Sequence, residues 1–135
     1  MSSPIGLSEG CREALQHLRE TREINTVILL LDETPGMLML EVELEGNLTQ
    51  DELVSSLPAD EARLFVHELS FAAPDGARRH EQLLVCWMPP NAEEREEAYT
   101  AGYTALKGYL LDVRVHLTAR RTPQLAYERL VALAG

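Results

Sequence analysis

The sequence predicts a fold of the α/β (α+β) class, in which a mixed central β-sheet of about five strands is flanked by helices. Two pairs of apolar, alternating segments are each joined by a turn that contains proline and glycine, which is typical of β-hairpins. Helical patterns stand before, between and after these pairs. No repeat or long linker interrupts the 135 residues, so we expect residues 1–135 to form a single domain.

The first half of the chain predicts a helix followed by a hairpin. Apolar side chains recur at helical spacing over residues 9–20. Ser8 precedes them, and a serine hydroxyl at that place accepts an orphan backbone N–H. A buried strand is predicted over 25–32 and a half-exposed strand over 37–45. Residues 33–36 form the turn between them, because proline presets φ and glycine accepts a positive φ.

The second half predicts two more strands, a long helix and a short terminal pair of elements. A capping box, Thr49 to Glu52, begins a short helix that ends near Ser56. The apolar stripe of the long helix is interpreted as core. The remaining elements are strands over 63–71 and 80–87, a long helix over 92–111, a strand over 113–117, and a terminal helix with Thr122 as cap and Pro123 at its first position.

The composition limits the classes of partner. The formal net charge is −10, with 22 acidic against 12 basic residues. Such a surface repels nucleic acid and anionic lipid, so neither is an expected partner. No apolar window is long enough to span a membrane. The N-terminus lacks a signal-peptide pattern, and Cys11 and Cys86 lack CxxC partners, so we expect a cytoplasmic protein with reduced thiols. We also expect a monomer.

Catalytic signatures are missing from the sequence. It contains no glycine-rich phosphate loop, no GxSxG elbow and no HExxH motif. The four histidines are scattered, and His67 fits a hydrogen-bonded core position on a strand. We therefore expect neither a metal nor a cofactor, and not an enzyme. A carboxylate pair facing a cleft would be needed to support the enzymatic alternative.

Several segments resemble the actin-depolymerising factor homology family, most closely its ADF/cofilin branch. In residues 56–71, SLPADEARLFVHELSF, a leucine–proline pair precedes acids, an arginine and alternating apolar residues. Residues 83–89, LLVCWMP, are similar to the family's next strand with its tryptophan-x-proline exit. The leader MSSPIGLSEGC and residues 99–106 match as well. The resemblance implies the ADF homology fold in a cytoplasmic, cytoskeletal protein that binds actin monomers or filaments and promotes filament disassembly and turnover.

The resemblance also implies two binding sites and one modification site. The monomer site combines the N-terminal leader with the first half of the long helix, and comprises Ser3, Pro4, Ile5, Gly6, Arg95, Glu96 and Glu97. The filament site comprises Arg78, Arg79, Arg120 and Arg121. Ser3 falls at the family's phosphorylation site, although Pro4 stands where the family usually has glycine.

The start of the long helix departs from the family pattern. Residues 93–97 read Glu-Glu-Arg-Glu-Glu, and Glu97 stands where the family has a second base. Acids suit the positive end of a helix dipole, which explains the glutamates without a binding role. An alternative is a glia-maturation-factor-like or coactosin-like regulator, which acts on the actin-related-protein branching complex or on filaments without strong severing. Residues 43–46 and 51–53 look like the former.

Overall fold

A mixed β-sheet forms the centre of the computed structural model, which describes residues 6–20, 24–32, 37–43, 50–57, 59–111 and 113–134. Within these ranges six strands lie in the order β1-β3-β2-β4-β5-β6. The strands are β1 (Gly6–Leu7), β2 (Thr26–Asp32), β3 (Met37–Glu43), β4 (Arg63–Ala72), β5 (Arg78–Trp87) and β6 (Val115–Ala119). The helices are α1 (Glu9–Glu20), α2 (Gln50–Ser55), α3 (Glu96–Tyr109) and α4 (Tyr127–Ala134), with 3₁₀ turns at Pro90–Arg95 and Thr122–Leu125.

The four middle strands are antiparallel and the two edge strands are parallel to their neighbours. The longest ladder joins β4 and β5, from Arg63 opposite Trp87 to Ala72 opposite Arg78. β1 runs parallel to β3, and β6 runs parallel to β5. A parallel neighbour needs a crossover connection, and α3 supplies it between β5 and β6.

Helices cover both faces of the sheet, so that two apolar cores form. Strand alternation assigns side chains to each core: Leu64 and Val66 point to one face, and Phe65 and Leu69 to the other. The first core packs against α1 and α3, and the second against α2, the Thr122–Leu125 turn and α4. The charged ends of the elements are thereby left at the rim of a three-layer domain.

The predicted fold class is confirmed, and all five predicted strands are present beside the two-residue β1. The predicted helix over 92–111 is instead a 3₁₀ turn followed by α3, because Pro89 and Pro90 set the entry and the Ala92 N–H bonds back to the Pro89 carbonyl at 2.9 Å. The predicted turn at 33–36 and the cap Thr49 lie outside the described residues.

The last strand was predicted two residues too early. Its alternating pattern begins at Val113, but Val113 is buried in the core shared by α1 and α3. The Val113 N–H bonds to the Leu110 carbonyl at 3.2 Å, in the turn that leaves α3. The strand itself begins at Val115, where pairing with Leu83 starts. Val113 is apolar because it is buried in this core, and its spacing from Val115 therefore resembled one further step of strand alternation.

Both cysteines are buried free thiols, one in α1 and one in β5. Burial raises the pKa of Cys11 to about 12 and that of Cys86 to about 11, so both stay protonated at neutral pH. In the part of the chain that the structure describes, no helix combines the length and apolarity needed to cross a bilayer.

Candidate functional site

The start of the long helix places a run of charges on the surface. The 3₁₀ turn Pro90–Arg95 leads directly into α3, and only Ala92 of that turn is buried. Glu93, Glu94, Arg95 and Glu97 are exposed, and Glu96 is half-buried. We call these five residues together with Arg120 the helix-start surface. The predicted monomer-site residues of the helix therefore lie where a partner can reach them.

Arg95 and Tyr99 bind the end of β2 that extends beyond its pairing with β4. The Asn25 carbonyl, just before β2, accepts a hydrogen bond from the Glu68 N–H of β4 at 2.8 Å. Every second residue of a strand points its backbone N–H and C=O to the same side, so those of Leu31 also point towards β4. The β2–β4 pairing recorded between described residues ends at Leu29 opposite Leu64.

Beyond that point the backbone groups of Leu31 bond to side chains instead of a strand. The Leu31 N–H donates to the Tyr99 hydroxyl at 3.0 Å, and the Arg95 guanidinium donates to the Leu31 carbonyl at 3.0 Å. The same guanidinium lies 5.3 Å from the centre of the Tyr99 ring, within cation–π range. Arg95 is thus at the surface but also ties the helix start to the sheet.

A second contact joins the helix start to the segment after β6. The Arg120 guanidinium donates to the Glu96 carboxylate, and the two side chains are 46% and 42% exposed. Hydrogen bonding to Glu96, followed by its negative charge, raises the pKa of Arg120. The structure therefore brings a residue of the predicted filament site onto the predicted monomer site.

The backbone at Arg120 and Arg121 is held by one side chain. The amide oxygen of Gln124 accepts the N–H of Arg120 at 2.6 Å and that of Arg121 at 3.0 Å. Upstream, Ala119 pairs with Trp87, and its carbonyl accepts from Met88 N–H at 2.8 Å. A depression of about 340 Å³ lies here, lined by Cys86, Met88, Glu96, Thr100, Thr118, Arg120 and Gln124.

The other two predicted filament residues lie at the opposite end of β5. Arg78 and Arg79 are exposed and directly follow the β4–β5 turn. Gly76 allows this turn because it has a φ of 87°, and the Asp75 carboxylate accepts the Ala77 N–H at 2.9 Å. Because β5 rises about 3.4 Å per residue, Arg78 is about 30 Å from Trp87 at the other end. We call Arg78 and Arg79 the turn surface.

Of the four predicted leader residues, the structure describes Gly6 alone. Ser3, Pro4 and Ile5 lie outside the described residues. Gly6 begins β1 opposite Met37, which also pairs with Asp32 of β2. Two strand spacings of about 4.8 Å therefore separate Gly6 from the end of β2 that Arg95 binds. Gly6 thus lies at the same end of the sheet as the helix-start surface.

A polar cluster is buried where β2 pairs with β4. His67 is 3% exposed and Thr26 is fully buried. Thr26 Oγ1 lies 2.9 Å from His67 Nδ1 and donates to the Asn25 side-chain oxygen at 3.0 Å. Burial lowers the pKa of His67 to about 4. The prediction that His67 is a hydrogen-bonded core residue is therefore confirmed.

Two contributors to the site were missed by sequence reasoning. Tyr99 was assigned to the core for its ring, which is correct, but its hydroxyl also bonds Leu31. Gln124 was not singled out, although it organises the arginine pair. The spacing of Arg95 and Tyr99 by four residues was a usable indication, because such residues share one face of a helix. No comparable pattern marks Gln124.

A mixed sheet with helices on both faces, bearing charged surfaces at its rim, defines a small domain with the ADF homology fold. The chain belongs to the family of cofilin/tropomyosin-type actin-binding proteins, whose sequence model matches residues 4–133. It is 26% identical to actin-depolymerizing factor 3 of Arabidopsis thaliana over 119 residues, which are 87% of this chain and 86% of the relative.

Solved structures show the same fold. Cofilin of Streptomyces griseoflavus superposes with a TM-score of 0.85 at 23% identity, over 97% of both chains. Glia maturation factor of Caenorhabditis elegans superposes with a TM-score of 0.74 at 20% identity, over 98% of this chain and 99% of that one. Since two branches of the family share the fold, the fold alone does not separate them.

Proposed function

We propose that this protein binds actin in the manner of ADF/cofilin proteins and promotes filament disassembly and turnover in the cytoplasm. The observation that carries the proposal is the family match, which extends over residues 4–133 and so over nearly the whole domain. Actin monomers and filaments are the proposed partners, and the protein acts as a monomer without a cofactor and without catalysing a reaction.

The helix-start surface is the proposed monomer contact. Its support is the exposure of Arg95 and Glu97 and the position of Gly6 at the same end of the sheet. The leader residues Ser3, Pro4 and Ile5 complete this contact in the proposal. A phosphate on Ser3 would add about 1.5 to 2 negative charges and so oppose docking on an acidic partner such as actin.

The turn surface supplies an additional contact for filaments. Arg78 and Arg79 are exposed, and about 30 Å of β5 separates Arg78 from the end of the strand near Arg120. Two basic groups so far apart suit a partner that presents two subunits, because each can meet a different acidic patch. In the proposal Arg120 and Arg121 contact filaments at the other end of the domain.

Co-sedimentation with filamentous actin and a titration of labelled actin monomers test the proposal. We expect the protein to pellet with filaments in a saturable way and to shorten the time course of filament disassembly. Raising the salt concentration should weaken the interaction, since exposed charges are screened. Failure to bind either form of actin would refute the proposal.

A second candidate is a regulator of the glia-maturation-factor or coactosin type. The observation that favours it is the acidic character of residues 93–97, where four glutamates surround Arg95. The discriminating experiment adds the actin-related-protein branching complex to the same binding assays. Binding to that complex without binding to either form of actin would favour the glia-maturation-factor reading. Binding to filaments without faster disassembly would favour the coactosin reading.

A further inference from the structure

Both arginines of the helix-start surface are already engaged within the chain. Arg95 donates to the Leu31 carbonyl and lies against the Tyr99 ring, and Arg120 donates to Glu96. The same surface carries four glutamates, at positions 93, 94, 96 and 97. An acidic partner therefore meets a surface whose two arginines already have contacts within the chain, and in which the Glu96 carboxylate offsets the charge of Arg120.

The contact between Glu96 and Arg120 follows from rigid parts of the fold. Gln124 fixes the backbone of Arg120, and the pairing of Ala119 with Trp87 fixes the end of β6. On the other side, the Tyr99–Leu31 hydrogen bond holds the first turn of α3 against β2. Glu96 lies in that turn, so its carboxylate faces the guanidinium without a rearrangement of the backbone.

We propose that Glu96 is an internal competitor for Arg120, and that an acidic group of the partner must displace the Glu96 carboxylate before it can bind this arginine. The inference rests on the proposed function, and it assigns to Glu96 the role of lowering affinity at the actin-binding surface. In this proposal Glu96 does not contact the partner directly. It sets how much of the Arg120 charge is available to the partner.

The expected size of the effect is modest, because both side chains are nearly half exposed. Exposed ion pairs of this kind change an equilibrium constant by up to about fivefold. The salt dependence should be affected as well. In the wild-type protein one ion pair is exchanged for another on binding, whereas without the Glu96 charge a new ion pair forms, which salt opposes more strongly.

The test compares Glu96→Gln with Glu97→Gln in co-sedimentation with filamentous actin. Both substitutions remove one negative charge from neighbouring positions of α3, but only the first releases Arg120. We expect Glu96→Gln to tighten binding by up to about fivefold and Glu97→Gln to tighten it less. The affinity of Glu96→Gln should also fall more steeply with salt than that of the wild type.

A double-mutant cycle isolates the competition from the change in net charge. In an Arg120→Gln background, Glu96→Gln has no arginine to release, so its gain should shrink to that of Glu97→Gln. Circular dichroism and thermal unfolding of each variant establish that the fold is retained before affinities are compared.

Three outcomes would overturn the inference. Equal gains for Glu96→Gln and Glu97→Gln would show an effect of net charge alone. Weaker binding of Glu96→Gln would show that Glu96 contacts the partner or holds Arg120 in its binding position. A wild-type protein that binds neither form of actin would overturn the proposed function and this inference with it, whereas the first two outcomes leave the proposed function standing.

Discussion

The backbone N–H of Leu31 donates a 3.0 Å hydrogen bond to the hydroxyl of Tyr99, 68 residues further along the chain. Tyr99 is 2% exposed, so the bond lies in the core and is shielded from water. It occupies the end of β2 that lies beyond the last described pair with β4. The Tyr99 hydroxyl thereby takes the place of a strand partner for this N–H and holds the start of the long helix against the sheet.

The substitution Tyr99→Phe should destabilise the fold while preserving most of the packing. It removes the acceptor and leaves the Leu31 N–H buried without its partner, at a cost of about 1–3 kcal/mol. Urea denaturation measures the loss. The control is Tyr109→Phe, whose ring is 46% exposed and whose loss should be within about 0.5 kcal/mol of zero. Equal midpoints for the two variants would contradict the assigned role.

The substitution Arg95→Ala should weaken monomer binding and also lower stability. It removes the hydrogen bond to the Leu31 carbonyl and the contact with the Tyr99 ring, each of which contributes about 1 kcal/mol. A titration of actin monomers and a thermal unfolding curve measure the two effects. Arg12→Ala, at an exposed position of α1, is the matched control. Unchanged monomer affinity would refute a binding role for Arg95.

The free energy of unfolding should fall as the pH drops from about 6.5 towards 4. The pKa of His67 is lowered to about 4 in the folded protein, so the unfolded chain takes up the proton first. The contribution of His67 to the free energy of unfolding is therefore complete above its ordinary pKa of 6.5. It falls by roughly 3 kcal/mol as the pH drops from 6.5 to about 4.

Unfolding curves at a series of pH values test the His67 prediction. His67→Gln should flatten the dependence between pH 6.5 and 4, because glutamine does not titrate. His80→Gln is the matched control for the loss of a histidine, at an exposed position of β5. The same slope in the wild type and in His67→Gln would assign the acid sensitivity to other groups.

The double substitution Arg78→Ala and Arg79→Ala should weaken filament binding and spare monomer binding. The turn surface lies at the opposite end of β5 from the strand end near Arg120, so the helix-start surface keeps its geometry. Each exposed charge contributes a factor of about two to five. Co-sedimentation and monomer titration run side by side give the two affinities. An equal loss in both assays would show that the two surfaces do not act separately.

The strands and the two-sided core were predictable because they follow from local periodicity. The alternation at Leu64 to Val66 predicted which side chains share a face, and the structure places them in the two cores as expected. The same reasoning failed at Val113, because a buried turn residue and a strand residue are equally apolar. Periodicity indicates which residues are buried, and only the hydrogen-bonding pattern distinguishes a buried turn residue from a strand residue.

The grouping of the site residues was not predictable. Arg78 and Arg120, both predicted contacts for filaments, lie towards opposite ends of β5, and Arg120 contacts Glu96 of the predicted monomer site. The residues of this ion pair are 24 positions apart, and no sequence pattern links them. Their contact depends on the parallel pairing of β6 with β5, which is a property of the sheet topology.

The sequence by itself determined the fold class, the alternation of faces along β4 and the acidic start of the long helix, because these depend on composition and on the period of neighbouring residues. Tertiary structure decided which charges are available to a partner. The end of β2 that lies beyond its pairing with β4 binds Arg95, and the turn after β6 carries Arg120 to Glu96. Such contacts arise where strands end and backbone groups need partners, and only the assembled sheet specifies those places.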